Sequence, residues 1–152
     1  MSRPTYFFED FAVGETAEFG AKEVTKDEVI EFASEYDPQP FHLDEDAANK
    51  SLFKGMSSSG WHNCTMLMGM IWEGYLQDTA SLGFVGFNEV RWMKPVRPGY
   101  VLKTKRTVLN VEAPTETGQP GVVTFQFDVF NQDGLQVLKA MAEQRIAARP
   151  VE

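Results

Sequence analysis

The chain contains a single cysteine, Cys64, and only two histidines, His42 and His62. One cysteine excludes an internal disulfide, and without a Cys-x-x-Cys or His-x-x-x-His pair no zinc-type ligand spacing is present, so no resident metal is expected. Long apolar runs are also missing. The stretch from Met66 to Trp72 falls far short of the roughly 20 residues needed to cross a bilayer. The opening residues, Met-Ser-Arg-Pro-Thr-Tyr-Phe-Phe-Glu-Asp, turn acidic at once and lack the apolar core and small-residue cleavage site of a secretory signal. A cytoplasmic, reducing location is therefore expected. Basic residues are few: 14 Lys and Arg stand against 22 Asp and Glu, a net charge of -8. That balance disfavours nucleic acid and anionic membrane surfaces as partners, since both are polyanions. There is no Gly-x-Ser-x-Gly elbow, no Gly-rich dinucleotide fingerprint and no Walker-type loop, so serine hydrolysis, hydride transfer and nucleotide hydrolysis lack their usual signatures.

What is present suits one globular domain spanning residues 1–152, with 43% hydrophobic and 24% charged residues. The charge is unevenly spread. Residues 1–49 are strongly acidic, whereas residues 90–111 carry Arg91, Lys94, Arg97, Lys103, Lys105 and Arg106 and no acid. This local cation is either a solvated strand face or a resting place for a small phosphate-bearing ligand.

Periodicity predicts the elements. Thr16 to Val24 reads as a strand, and Thr25-Lys26-Asp27-Glu28 has the form of a capping box opening a helix. That helix must end before Pro38, which disfavours helical geometry in the residue ahead of it. Asp37 to Asp44 reads as a loop stiffened by Pro38 and Pro40, and Asp44 as the cap of a short helix through Asn49. Ser57-Ser58-Ser59-Gly60 resembles a flexible stretch. The segment from Gly60 to Leu76 reads as a helix apolar on nearly all sides, and hence buried. From Phe84 onward the period changes to two: Phe84–Met93, Val101–Val111, Val122–Asn131 and Leu135–Ala148 are strand-like, with a turn at Asn131-Gln132-Asp133-Gly134. The expected fold class is α+β, a mainly antiparallel sheet curled around one central helix, with its edge strands covered by pairing in a symmetric dimer.

Asp37 and His42 are the first candidates for chemistry. If the proline loop curls, a carboxylate and an imidazole can share one water, the carboxylate taking its proton. The alternative is a helix-ending aspartate and a loop histidine, each with satisfied hydrogen bonds. Gly60, at the start of the apolar helix, stands where unpaired backbone N–H groups can hold an oxyanion, or it is simply a turn residue. His62 reads as a packed helix residue. Cys64 lies within the apolar helix and is not expected to act as a nucleophile.

The segment Tyr36-Asp37-Pro38-Gln39-Pro40-Phe41-His42-Leu43-Asp44, followed by Ala47-Ala48, Phe53, Gly55 and Gly60, resembles the MaoC-like dehydratases, which include the (R)-specific enoyl-CoA hydratases. Phe8-Glu9-Asp10-Phe11, Ser59-Gly60-Trp61-His62 and Lys94-Pro95-Val96-Arg97-Pro98-Gly99 extend the resemblance over nearly the whole chain. It implies a hot-dog fold, in which an antiparallel sheet wraps a long central helix, and a homodimer or higher homo-oligomer. It also implies water addition to a 2-enoyl thioester of coenzyme A or an acyl carrier, or the reverse dehydration, without a cofactor. Asp37 and His42 would then form the catalytic dyad, and the Gly60 N–H would polarise the thioester carbonyl. Ser59, Trp61 and Arg97 would contact substrate. Four positions depart from the pattern; one of them, Tyr100 in place of the aspartate often found after Pro-Gly, is expected to affect only a loop. Gln39 replaces a frequent asparagine, Ser59 stands where many hydratases have histidine, and Met68 stands where some place a serine beside the aspartate. Thr65 is a possible substitute for that serine. A hot-dog thioesterase and a non-catalytic acyl-thioester binding or dimerisation module are the alternatives. Bulky Trp and Met side chains near the helix start favour short or branched acyl groups.

Overall fold

A computed structural model describes residues 3–151. Five antiparallel strands form one sheet: β1 (Thr16–Glu23), β2 (Ser81–Trp92), β3 (Val101–Glu112), β4 (Gly121–Phe130) and β5 (Gln136–Ile146), in the order β1-β3-β4-β5-β2. The central strand β4 shows why the period-two pattern was legible. Gly121, Val123, Phe125, Phe127 and Val129 are buried while the residues between them are partly exposed. Asn131 closes the β4–β5 turn as expected, its Oδ1 accepting from the N–H groups of Asp133 and Leu135 at 3.0 and 2.9 Å. These features, with the helix described next, make the hot-dog architecture.

Four α-helices and a closing 3-10 turn (Leu76–Asp78) lie between β1 and β2: α1 (Lys26–Tyr36), α2 (Pro40–Leu43), α3 (Glu45–Asn49) and α4 (Gly60–Gly74). Thr25 caps α1 by accepting the Glu28 N–H at 3.2 Å, and Asp44 caps α3 by accepting the Ala47 N–H at 3.0 Å. The proline loop is more ordered than its sequence implied. Pro40 opens the single turn α2, a position at which its missing N–H costs nothing.

Helix α4 lies on the sheet with Met66, Leu67, Met70 and Ile71 in the core alongside Phe125, Phe127 and Leu138. It is not covered on all sides. Trp61 and Trp72 are 63% and 49% exposed, and Thr65 and Gly69 share that outward face. Near its end, a Cβ on Gly74 would lie 2.4 Å from the Phe19 ring, so glycine permits the close approach of α4 to β1. A second correction concerns β2, which begins at Ser81 rather than Phe84. Register shifts between Ser81 and Phe84, between Phe84 and Gly86, and between Phe87 and Glu89 break the alternation that a sequence reading follows. The third concerns the cationic stretch. Arg106 does not point into solvent: it is 5% exposed, pairs with Glu15 at 2.9 Å and has its guanidinium 4.6 Å from the Tyr75 ring centroid. Among the described residues, no helix is long and apolar enough to cross a membrane.

Candidate active site

Asp37 is the residue on which α1 ends, and His42 lies one short turn later on α2. The chain between them does curl. The His42 Nδ1–H donates to the Ser57 carbonyl at 2.7 Å. Because a carbonyl can only accept, this bond puts the proton on Nδ1 and leaves the lone pair of the neutral ring on Nε2. Nε2 stands 3.5 Å from Asp37 Oδ2, a spacing at which one water can touch both. The Asp37 carboxylate accepts on both oxygens: Ser59 Oγ donates to Oδ2 and Gln39 Nε2 to Oδ1, each at 2.7 Å. Burial pushes this carboxyl up, but the Ser59 and Gln39 hydrogen bonds and the nearby His42 outweigh it, and the group is held below the usual aspartate value. The site therefore pairs an ionised carboxylate with an imidazole whose outer nitrogen can accept a proton or a hydrogen bond.

The serine run before α4 looked flexible in sequence but is buried throughout. Each serine has its own bond: Ser57 offers its carbonyl to His42, Ser58 Oγ donates to Asn63 Oδ1, and Ser59 Oγ holds Asp37. No sequence signal marks the partners of Ser57 and Ser59, because they lie 15 and 22 residues away, whereas the partner of Ser58 is five residues on, in the first turn of α4. Ser59 is also the residue that precedes the helix, where a serine ordinarily caps an exposed N–H. Here its hydroxyl is turned to Asp37 and makes no cap bond, so the first N–H groups of α4 stay open. Glycine at position 60 meets a steric requirement as well. A Cβ there would lie 2.7 Å from the indole of Trp92, whose Nε1–H donates to the Gly60 carbonyl at 2.8 Å.

Asp37, His42, Gly60 and Trp61 all line one cavity of about 550 Å³. Phe41, Phe53, Trp92 and Met93 give it apolar walls, and Asn63 and Lys94 add polar groups. Ser59 does not line it, so its place is behind Asp37 rather than against a ligand. Arg97 does not line it either. Its guanidinium donates to the carbonyls of Phe53 and Met56 at 2.5 and 3.2 Å, clasping the loop after α3, and the cation that borders the cavity is Lys94. Met68 packs against the core, and the serine support it lacks comes from Ser59. Thr65 is not the substitute, since its Oγ1 donates to the His62 carbonyl at 2.8 Å. Burial pushes the Cys64 thiol up, opposite to what a nucleophile needs. Among the described residues, no group of three His, Cys, Asp or Glu side chains is placed to hold a metal ion.

A family profile described as "MaoC like domain" matches residues 10–125. The uncharacterized protein YdeM of Bacillus subtilis (strain 168) is 30% identical over 132 residues, covering 86% of this chain and 92% of that protein. The crystal structure of a MaoC-like dehydratase from Rhodospirillum rubrum is 36% identical, with a TM-score of 0.86 over 96% of this chain and 99% of the other. The unliganded R-hydratase PhaJ1 from Pseudomonas aeruginosa shares the fold at 24% identity, with a TM-score of 0.73 over 96% and 92% of the two chains. With its profile match over most of the sequence and a relative similar from end to end, the chain belongs to the MaoC-like dehydratase family.

Proposed function

We propose that the protein is an acyl-thioester hydratase, working in reverse as a dehydratase, that adds water across the C2=C3 bond of a trans-2-enoyl thioester of coenzyme A or an acyl carrier. The observation that carries this reading is the placement of Asp37 Oδ2 and His42 Nε2, 3.5 Å apart, on a cavity that Gly60 also lines. Asp37 takes a proton from water as the water oxygen bonds to C3. His42 Nε2 accepts the water's other O–H and aims it. The π pair of C2=C3 moves onto C2 and the thioester oxygen, where the open Gly60 N–H and the positive end of α4 meet the developing charge. The proton on Asp37 then passes to C2. One water is consumed, the carboxylate is restored, and no cofactor enters the balance.

The apolar walls formed by Phe41, Phe53, Trp61 and Trp92 receive the acyl group and favour a short or branched one. Lys94, at the same cavity, suits the phosphates of a coenzyme A or carrier arm. The working unit in this reading is a homodimer or higher homo-oligomer, joined at the edge strand β2, where Leu82, Val85, Phe87 and Trp92 are exposed. Cys64, the chain's one thiol, suits the reducing cytoplasm.

The test follows the enoyl-thioester absorbance of a short trans-2-enoyl-CoA with purified protein while assaying free thiol in the same cuvette. Loss of absorbance without thiol release is expected. Thiol release would instead assign thioesterase chemistry, and binding with neither change would leave a non-catalytic acyl-thioester module.

A further inference from the structure

We propose that Asn63 is a second hydrogen-bond donor to the thioester carbonyl, so that its Nδ2 and the Gly60 N–H together hold the oxyanion; this rests on the hydratase reading above. Asn63 is three residues after Gly60, in the first turn of α4, and the two share a helix face. Helical side chains lean toward the N-terminus, which carries the Asn63 amide back over the turn where Gly60 has no side chain of its own. Both residues line the same cavity.

The amide's orientation is fixed from behind. Ser58 Oγ donates to Asn63 Oδ1, which commits the oxygen and turns the NH2 group away from the serine. The reversed amide would force the Ser58 hydroxyl onto the Val96 carbonyl at 3.4 Å, a far poorer bond. Among the described residues, Nδ2 has no acceptor, yet it is not one of the sealed unpartnered side-chain atoms, which are Ser57 Oγ, His62 Nδ1 and Arg106 Nε. A residue that is 5% exposed and lines the cavity therefore carries an NH2 group with no partner among the described residues and with open space beside it. Packing alone does not call for asparagine here, since it is among the weaker helix formers and an apolar residue would fill the space. An oxyanion site works through donors aimed at where charge develops, and a second donor beside Gly60 supplies that.

Asn63→Asp separates this role from a structural one. It keeps an oxygen for the Ser58 hydroxyl and removes the NH2, so a mere anchor for the serine run would tolerate it. Asn63→Ala removes the side chain without adding charge and carries the same test should Asn63→Asp fail to fold. Steady-state hydration of a short trans-2-enoyl-CoA would be measured for both variants, each with a thermal melt. The carbonyl stretch of the carbon-13 labelled thioester would be recorded bound to Asp37→Asn and to Asp37→Asn/Asn63→Ala. The expected result is a loss in kcat of about 100-fold to 1,000-fold with little change in KM, and a carbonyl band that returns toward its solution position when Asn63 is removed. Hydration by Asn63→Asp within about threefold of the parent would overturn the proposal, as would a loss confined to KM or a carbonyl band indifferent to Asn63. A parent that binds the thioester but never hydrates it sinks the hydratase reading instead, whatever the band does.

Discussion

The two histidines lie in two different regions around the start of α4, and both are 4% exposed. Their surroundings differ. His42 borders the 550 Å³ cavity with one nitrogen bonded to the Ser57 carbonyl and the other facing Asp37. His62 borders a cleft between α1, α4 and β1, where its ring stacks on Phe32 with centroids 4.7 Å apart and its Nδ1 has no partner. Burial alone thus says nothing about chemistry. A histidine acts when a second group fixes its tautomer and a third shares its free nitrogen with a reactant. In the His62 cleft, Lys22 and Glu28 are bound to each other at 2.6 Å, and among the described residues no carboxylate is hydrogen-bonded to the imidazole.

The largest effect should come from removing the groups that distinguish the His42 side. Asp37→Asn and His42→Ala are each expected to lower kcat by about 100-fold to 10,000-fold, the usual worth of a positioned acid or base. His62→Phe should leave turnover within about threefold if its ring is packing only. Equal losses at the two histidines would end the distinction between the regions.

Gly60→Ala sharpens it at the helix start. The new methyl would sit 2.7 Å from the Trp92 indole, so either the indole or the first turn must move. A fall in kcat of at least about tenfold is expected, together with a changed tryptophan emission, since displacing an open donor by about an ångström is costly to catalysis. Combining it with Trp92→Leu, which frees the space, should recover part of the loss.

Ser59→Ala probes the support behind Asp37. Loss of a donor to the carboxylate raises its pKa, so the acid limb of the rate profile should move to higher pH, with a smaller fall in kcat at neutral pH. An unmoved limb would mean that Ser59 does not tune the carboxyl. The same depression makes Asp37 stabilising above its unfolded value, a contribution lost as pH falls through its folded one.

The smallest effect belongs to His62. Burial holds its imidazole below the ordinary value of 6.5, an effect that Glu28 opposes and Lys22 reinforces. A base whose folded pKa is lowered binds its proton more readily when unfolded, so its stabilising contribution is full above 6.5 and declines as pH drops below it. Thermal melts of the parent should show that decline, and His62→Phe should flatten it while changing stability at neutral pH by about 1 kcal/mol or less. An unchanged slope would place the acid sensitivity elsewhere.

Much of this was readable before any coordinates. β4 alternates strictly, α4 is a long apolar segment, and the capped helices announce themselves through Thr25 and Asp44, so the fold class followed from local pattern. Spacing leaves Asp37 and His42 open between a shared water and a plain helix end with a loop histidine, and the resemblance points to the pair that the fold brings to 3.5 Å. The layer behind them was not legible. Ser59 reads through the resemblance as a substrate contact and turns out to hold a carboxylate, Arg97 reads as a ligand-binding cation and clasps two carbonyls, and Trp92 reads as a strand residue and closes over Gly60. In each case the partner is more than 20 residues away in sequence, beyond the range of any spacing rule.

The pairing of Trp61 with Trp92, edge to face at 5.5 Å on the cavity wall, gives the chain an optical property of its own. Two of its three tryptophans line that cavity, and the third, Trp72, is on the same helix as Trp61, about 16 Å further along. Indole emission follows its hydration, so an acyl chain seated between these walls, as the proposed function has it, is expected to change the protein's intrinsic fluorescence without any label. With Trp72→Phe to quiet the background, a thioester titration becomes a direct record of occupancy, readable even for ligands that are never turned over.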